Sequence, residues 1–258
     1  MKKIIVITSG KGGVGKTTSA VNLGAAMNHF GKDVLIIDGN LSTPNLGIHL
    51  GSPEVPVHLN HVLLKKAEPE EAVYEHESGL KIMPSSLSIK ELKTLKPEKL
   101  KNFKKEFLAL ADYVIIDSSA GLGNEALATM EMADELILVT NPEMPAVTDA
   151  LKTIKLAEQM RKTVKGIIVT RVRKNKFEMQ PDAVKEMLEA EILGMVPEDL
   201  DIQRSMNLRD AVVHTHPKSK PARAYKEIAA KLLGIDYDSD QDKDGILTRI
   251  AKAFGWAK

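Results

Sequence analysis

The sequence predicts an α/β fold, a mostly parallel sheet with helices on both faces. Short, continuous apolar runs of strand length alternate with helical stretches along most of the chain. Continuous rather than alternating runs mark strands covered on both sides. A glycine-rich loop lies between the first apolar run and the first helical stretch, and two of the runs end on an aspartate. Ligands of such sheets sit beyond the carboxyl ends of the strands, which is where this loop and these aspartates fall.

Residues 4–7 (Ile4, Ile5, Val6, Ile7) are an apolar run of β-branched residues and read as a buried strand. A helical stretch over 18–30 follows the loop and stops at Gly31. Residues 34–38 form the next strand and end on Asp38; 80–84 is a weaker one; 113–117 is strong and ends on Asp117. Further strands are expected over 136–140, 166–170 and 192–196, and helices over 97–111, 124–133, 146–161, 180–190 and 221–233. No internal repeat is present. Composition shifts late: 234–244 is an acidic, polar linker and 245–258 is amphipathic. The expected organisation is a body over 1–233, a flexible linker over 234–244 and a terminal helix over 245–258.

Bulk properties narrow the function classes. The chain has 258 residues, 43% hydrophobic and 28% charged, enough for a sizeable core and far from disorder. Its net charge of +1 implies no general polyanion partner, so nucleic acid is not expected. The absence of cysteine removes disulfides, thiol catalysis and cysteine-ligated clusters, and fits a cytoplasmic location. The amino-terminal run is a strand and loop rather than a signal peptide, and no stretch of 18 apolar residues exists to span a membrane.

The loop itself, Gly10-Lys11-Gly12-Gly13-Val14-Gly15-Lys16-Thr17-Thr18, has the strand–loop–helix context of a phosphate-binding loop. Glycines let backbone N–H groups turn toward phosphate oxygens, and the following helix adds its positive end. Lys16 reaches the β- and γ-phosphates and the Thr17 hydroxyl ligates Mg²⁺. Asp38 and Asp117, ending strands on the same side, are candidate metal groups. The second lysine, Lys11, is not required by this pattern.

Lys11 directly after Gly10 makes the loop similar to the deviant phosphate loop of the MinD/ParA family of ATPases, and the likeness extends over nearly the whole chain, toward the MinD branch. It implies a P-loop NTPase architecture, ATP and Mg²⁺ as cofactors, and an ATP-state homodimer in which Lys11 reaches the partner's nucleotide. Residues 36–47 resemble the family's first switch, with Asp38 and Asn40, and 115–122 its second, whose Asp117 holds Mg²⁺ through water. Residues 139–143 also match, as does the Pro197-Glu198-Asp199 run, which the resemblance places near the base, as it does Thr170 and Arg171.

Three positions depart from the family. The first switch usually reads Asp-x-Asp, and its second aspartate is associated with orienting the attacking water; here it is Asn40, which carries no charge and is no general base. Slowed hydrolysis follows as the expectation. Ser119 stands where proline is usual, and Thr170-Arg171 where many relatives place an adenine-contacting asparagine.

The tail resembles the family's membrane-targeting helix. At about 100° per residue, Ile246, Leu247, Ile250, Ala253, Phe254 and Ala257 share one face, Arg249 and Lys252 lie opposite, and Trp256 is at the border. The implied protein is a dimerising ATPase switch, peripherally associated with an anionic membrane surface, that positions an activator or cargo protein. The alternatives are a ParA-like DNA-partitioning ATPase and a metabolic or cluster-carrying enzyme of the same fold, the cluster carriers disfavoured by the missing thiolates. Other motifs read as inert: Asp240-x-Asp242-x-Asp244 lacks a twelfth-position glutamate for calcium, His214 and His216 lie in an exposed turn, and the lysines between Lys90 and Lys105 form a solvated helix face.

Overall fold

The computed structural model describes residues 2–52, 54–173 and 175–238, with only the backbone of Ile89. The chain runs β1 (Lys3–Thr8), α1 (Lys16–His29), β2 (Val34–Gly39), α2 (Leu46–His49), α3 (Leu59–Leu63), β3 (Tyr74–Glu75), β4 (Lys81–Met83), α4 (Ile89–Leu92), α5 (Lys104–Leu110) and β5 (Tyr113–Ser118). It continues as α6 (Asn124–Met132), β6 (Glu135–Thr140), α7 (Met144–Gln159), β7 (Val164–Val172), α8 (Pro181–Leu188), β8 (Ile192–Pro197), α9 (Leu200–Asn207), α10 (Val212–Thr215) and α11 (Lys220–Leu233). The eight strands form one sheet in the order β3-β4-β2-β5-β1-β6-β7-β8. Every neighbouring pair is parallel except β3 with β4.

The two-residue period of a strand sorts the core into faces. Ile5 and Ile7 of β1 pack with Leu23 of α1 and with Tyr225 and Ile228 of α11. Ile4 and Val6 point the other way and join Phe107 of α5 and Met130 of α6. A strand buried on both sides has to be apolar at every position, which is why these runs do not alternate in sequence. Leu138 and Val147 anchor a third cluster beneath α7 and α8.

Two regions differ from the sequence expectation. The stretch 97–111 is not one helix: a 3-10 helix over Pro97–Phe103 precedes α5. Lys90, Lys93, Lys96, Lys101 and Lys105 are exposed as expected, but on successive short elements rather than one face. His214 and His216 are half-buried, His214 closing the turn of α10, because His214 pairs with Asp210 at 2.8 Å. Gly234, at φ 65, ends α11 in the left-handed conformation that favours glycine. The chain then turns back on the body: the Ile235 N–H donates to the Ala230 carbonyl, and the Tyr237 ring meets Phe30 edge-on at 5.3 Å. The acidic linker therefore starts in contact with α1 and α11. The tail residues Ile246, Leu247, Arg249, Ile250, Lys252, Phe254 and Trp256, and the calcium-like run from Asp240, lie outside the described residues.

Candidate active site

The loop joining β1 to α1 is held from beneath. Gly10 approaches α7 so closely that a Cβ there would stand 2.2 Å from the Asp149 carbonyl oxygen. Gly15 is left-handed at φ 93 and starts α1 without a side-chain cap, so the first-turn N–H groups have no side-chain acceptor. That arrangement is a ready anion site. Thr170, buried at the end of β7, donates its hydroxyl to the Val14 carbonyl at 2.6 Å and accepts from the Asn141 amide at 2.9 Å. Thr170, which the resemblance placed near the base, thus braces the loop.

The two strand-end carboxylates meet because β2 and β5 are neighbours in register: Asp38 pairs directly with Asp117. Both are fully buried. Asp38 accepts backbone N–H bonds from Leu46 (2.9 Å), Asn45 (3.0 Å) and Asn40 (3.2 Å), which wrap the segment after β2 around it. Burial, and then the neighbouring Asp117, push its carboxyl up to about 8. Burial also raises Asp117, to about 6, against the opposing pull of a hydrogen bond from Thr17 and the charge of Lys16. Thr17 donates to Asp117 at 2.5 Å, and among the described residues the other oxygen of Asp117, also buried, finds no hydrogen-bond partner. Two crowded carboxylates, a hydroxyl and an orphaned oxygen are a donor set for a hard divalent cation, so Thr17, Asp38 and Asp117 fit Mg²⁺. Lys16 is 9% exposed; burial lowers its ammonium, with Asp117 pulling the other way.

Asn40 also borders the site, but both polar ends of its side chain are engaged. Its amide donates to the Thr43 carbonyl at 2.6 Å and its carbonyl accepts from the Thr43 hydroxyl at 3.1 Å. Beyond it, Ser42 binds the carboxylate of Glu125 at the start of α6 through both its N–H and its hydroxyl. The Gly121 N–H donates to the Ser9 carbonyl at 3.0 Å. The segments after β2 and β5 are therefore tied to each other and to the phosphate loop. The Ser42–Glu125 link has no signature in the sequence, since 83 positions separate its partners.

A cleft of about 570 Å³ opens over this floor, a size suited to a nucleotide. Residues 13–18, Thr170, Arg171 and Pro197-Glu198-Asp199 all border it, so the structure brings the second half of the phosphate loop and the base candidates to one cleft, while Gly10 and Gly12 do not line it. It adds His49, Ile202, Met206 and Tyr225, which sequence reasoning missed. Ile202 and Met206 lie on α9, a helix of eight mostly polar residues, too short and too poor in apolar side chains to be read beforehand. Glu198 forms a bidentate pair with Arg173, and Asp199 caps α9 by accepting the Asp201 N–H at 2.9 Å. Lys11 behaves differently from Lys16: it is exposed and does not line the cleft. Its backbone carbonyl accepts the Ser9 hydroxyl at 2.8 Å, which fixes the loop while leaving the side chain outward.

A family model described as ParA, NUBPL iron-transfer P-loop NTPase, matches residues 1–233. An uncharacterized ATP-binding protein of Methanocaldococcus jannaschii is 37% identical over 96% of this chain and 95% of its own length. The septum site-determining protein MinD of Bacillus subtilis is 32% identical over 99% of each chain. Among solved structures, septum site-determining MinD of Pyrococcus horikoshii, complexed with Mg-ADP, superposes with a TM-score of 0.86 at 33% identity, covering 90% of this chain and 96% of that one.

Proposed function

This chain belongs to the ParA family of P-loop NTPases, and from that premise we propose that it is a MinD-type ATPase switch that dimerises on ATP, binds a membrane surface and positions another protein. The Mg-ADP complex of the Pyrococcus relative and the septum-site role named for the Bacillus one support ATP, Mg²⁺ and positioning. Lys16 would bind the β- and γ-phosphates, and Thr17, Asp38 and Asp117 would hold the metal. Bound Mg²⁺ neutralises charge on the phosphates. The reaction is ATP plus water to ADP plus phosphate. It is slow, because Asn40 is no general base and is already bonded to Thr43 at both ends.

The observation that carries the reading is the contrast between two lysines of one loop. Lys16 is buried against Asp117, whereas Lys11 is exposed outside the cleft. A cation there serves a nucleotide bound by a second copy, as an arginine finger supplied in trans does. Dimerisation then reads the nucleotide state.

The tail converts that state into location. Burying Ile246, Leu247, Ile250 and Phe254 yields at most roughly 6–12 kcal/mol. Folding so short a helix consumes part of it, and Arg249 and Lys252 each add about 1 kcal/mol near anionic lipid. One tail binds weakly; two on a dimer bind far better through effective concentration. The test is co-sedimentation with anionic liposomes. Pelleting is expected to need ATP and to fall on Ile250→Glu or on truncation after Asp244, a cut that spares the Tyr237 contact with the body. Equal pelleting of the truncated chain removes the membrane role and favours the DNA-partitioning reading, which the net charge of +1 otherwise disfavours.

A further inference from the structure

Away from the cleft, α3 and α4 face each other across the end of β4. His58, immediately before α3, and His61 within it stack their rings at 3.9 Å. Glu91 of α4 lies opposite both: its Oε2 is 3.4 Å from Nε2 of His58, and its Oε1 is 3.7 Å from Nε2 of His61. One ligand atom from each of the three falls within 4.8 Å of the others. His58 is buried, and among the described residues its Nδ1 and the buried Oε2 of Glu91 make no hydrogen bond.

An ion-pair explanation fits this poorly. Protonating both rings would stack two cations beside one carboxylate. Neutral imidazoles with a carboxylate are instead a divalent-metal donor set, two nitrogens and one oxygen. Ligand atoms about 2.0–2.1 Å from a tetrahedral ion stand about 3.3 Å from one another, close to the 3.4 and 3.7 Å between Glu91 and the two imidazoles; the rings, now stacked 18° from parallel, splay for both nitrogens to aim at one ion.

The geometry points to a second metal site, in which His58, His61 and Glu91 bind a zinc-type divalent transition ion and clip α3 to α4. An adjoining cavity of about 340 Å³, lined by His58, Ser85, Ser86 and Ser88 among others, has room for a water as fourth ligand. The site is separate from the nucleotide's magnesium and differs from it in ligand type, nitrogen rather than all oxygen. It nevertheless touches the same framework. The Leu59 N–H donates to the Pro84 carbonyl at 2.9 Å, and the Ser85 hydroxyl donates to the Asp38 carbonyl at 2.7 Å. A clip here steadies the strand end beside the Asp38 peptide.

The experiment is calorimetric titration of Zn²⁺ into the metal-stripped, nucleotide-free full chain, with Mg²⁺ in excess throughout. One Zn²⁺ per chain is expected, with affinity falling about tenfold or more in His61→Ala and in Glu91→Gln, and unchanged in His214→Ala. His61 and Glu91 are partly exposed, and Glu91→Gln keeps the shape, so folding is expected to survive; circular dichroism verifies it. Zn²⁺ is also expected to raise the melting temperature of the parent chain but not of the His61→Ala/Glu91→Gln double variant. No binding by the parent chain, equal affinity in the folded double variant, or loss of binding in His214→Ala overturns the site.

Discussion

The two ends of the cleft are built on different plans. The phosphate end rests on β1, β2 and β5 at the middle of the sheet, and its carboxylates are fully buried. The other end rests on loops near the sheet's margin, with Arg171 and Glu198 exposed and Leu200 and Leu208 each 62% exposed. The first is braced by buried hydrogen bonds such as that of Thr170 on Val14; the second is closed by the surface pair of Arg173 with Glu198. Positions at the phosphate end are therefore set before a ligand arrives, whereas the base end is free to adjust. Substitutions should hurt in that order.

The largest effects are expected at Asp117 and Lys16. Asp117→Ala should lower Mg²⁺-dependent hydrolysis by about 10²–10³-fold, the scale for removing one preorganised electrostatic group, measured as steady-state phosphate release. Lys16→Ala removes the buried cation and should weaken nucleotide affinity roughly a hundredfold, read by fluorescent-nucleotide titration. Retained affinity in Lys16→Ala would erase the contrast between the two ends. Next comes the brace. Thr170→Val leaves the Val14 carbonyl without its buried donor and should cost about 1–3 kcal/mol of stability, visible in denaturant unfolding. A smaller change, of opposite sign, is expected from Asn40→Asp. Restoring a carboxylate beside the attacking water should raise turnover about tenfold, and an unchanged rate would show that this residue does not govern water positioning. At the base end, Glu198→Ala breaks only an exposed pair and should alter nucleotide affinity by about twofold at most.

The same contrast explains what the sequence made legible. Asp38 and Asp117 could be paired beforehand because each ends an unbroken apolar run, and parallel neighbours bring such ends together. The phosphate loop was legible because its glycines act through the backbone. Helices α2, α3, α4 and α10 were not: at four or five residues each, they have no stability of their own and exist through tertiary contacts. The base-end residues Ile202 and Met206 were missed with α9. His58 and His61 could not be joined to Glu91, because only the approach of α3 to α4 brings them together. The 97–111 stretch misled because its apolar spacing, including Phe103 and Phe107, suits a continuous helix, while the chain starts at Pro97 as a tighter 3-10 turn.

One member of the phosphate end breaks its own plan: Lys11 is exposed on a loop whose other lysine is buried. We propose that it serves the partner's nucleotide, and sedimentation velocity with ATP, with ADP and without nucleotide tests that role most directly. The parent chain should be a monomer without nucleotide and with ADP, and a dimer with ATP. Lys11→Ala should still bind ATP yet remain monomeric, whereas Lys16→Ala should remain monomeric because it binds ATP roughly a hundredfold more weakly. A dimer of equal strength in all three states, or an ATP dimer that survives Lys11→Ala, would contradict it.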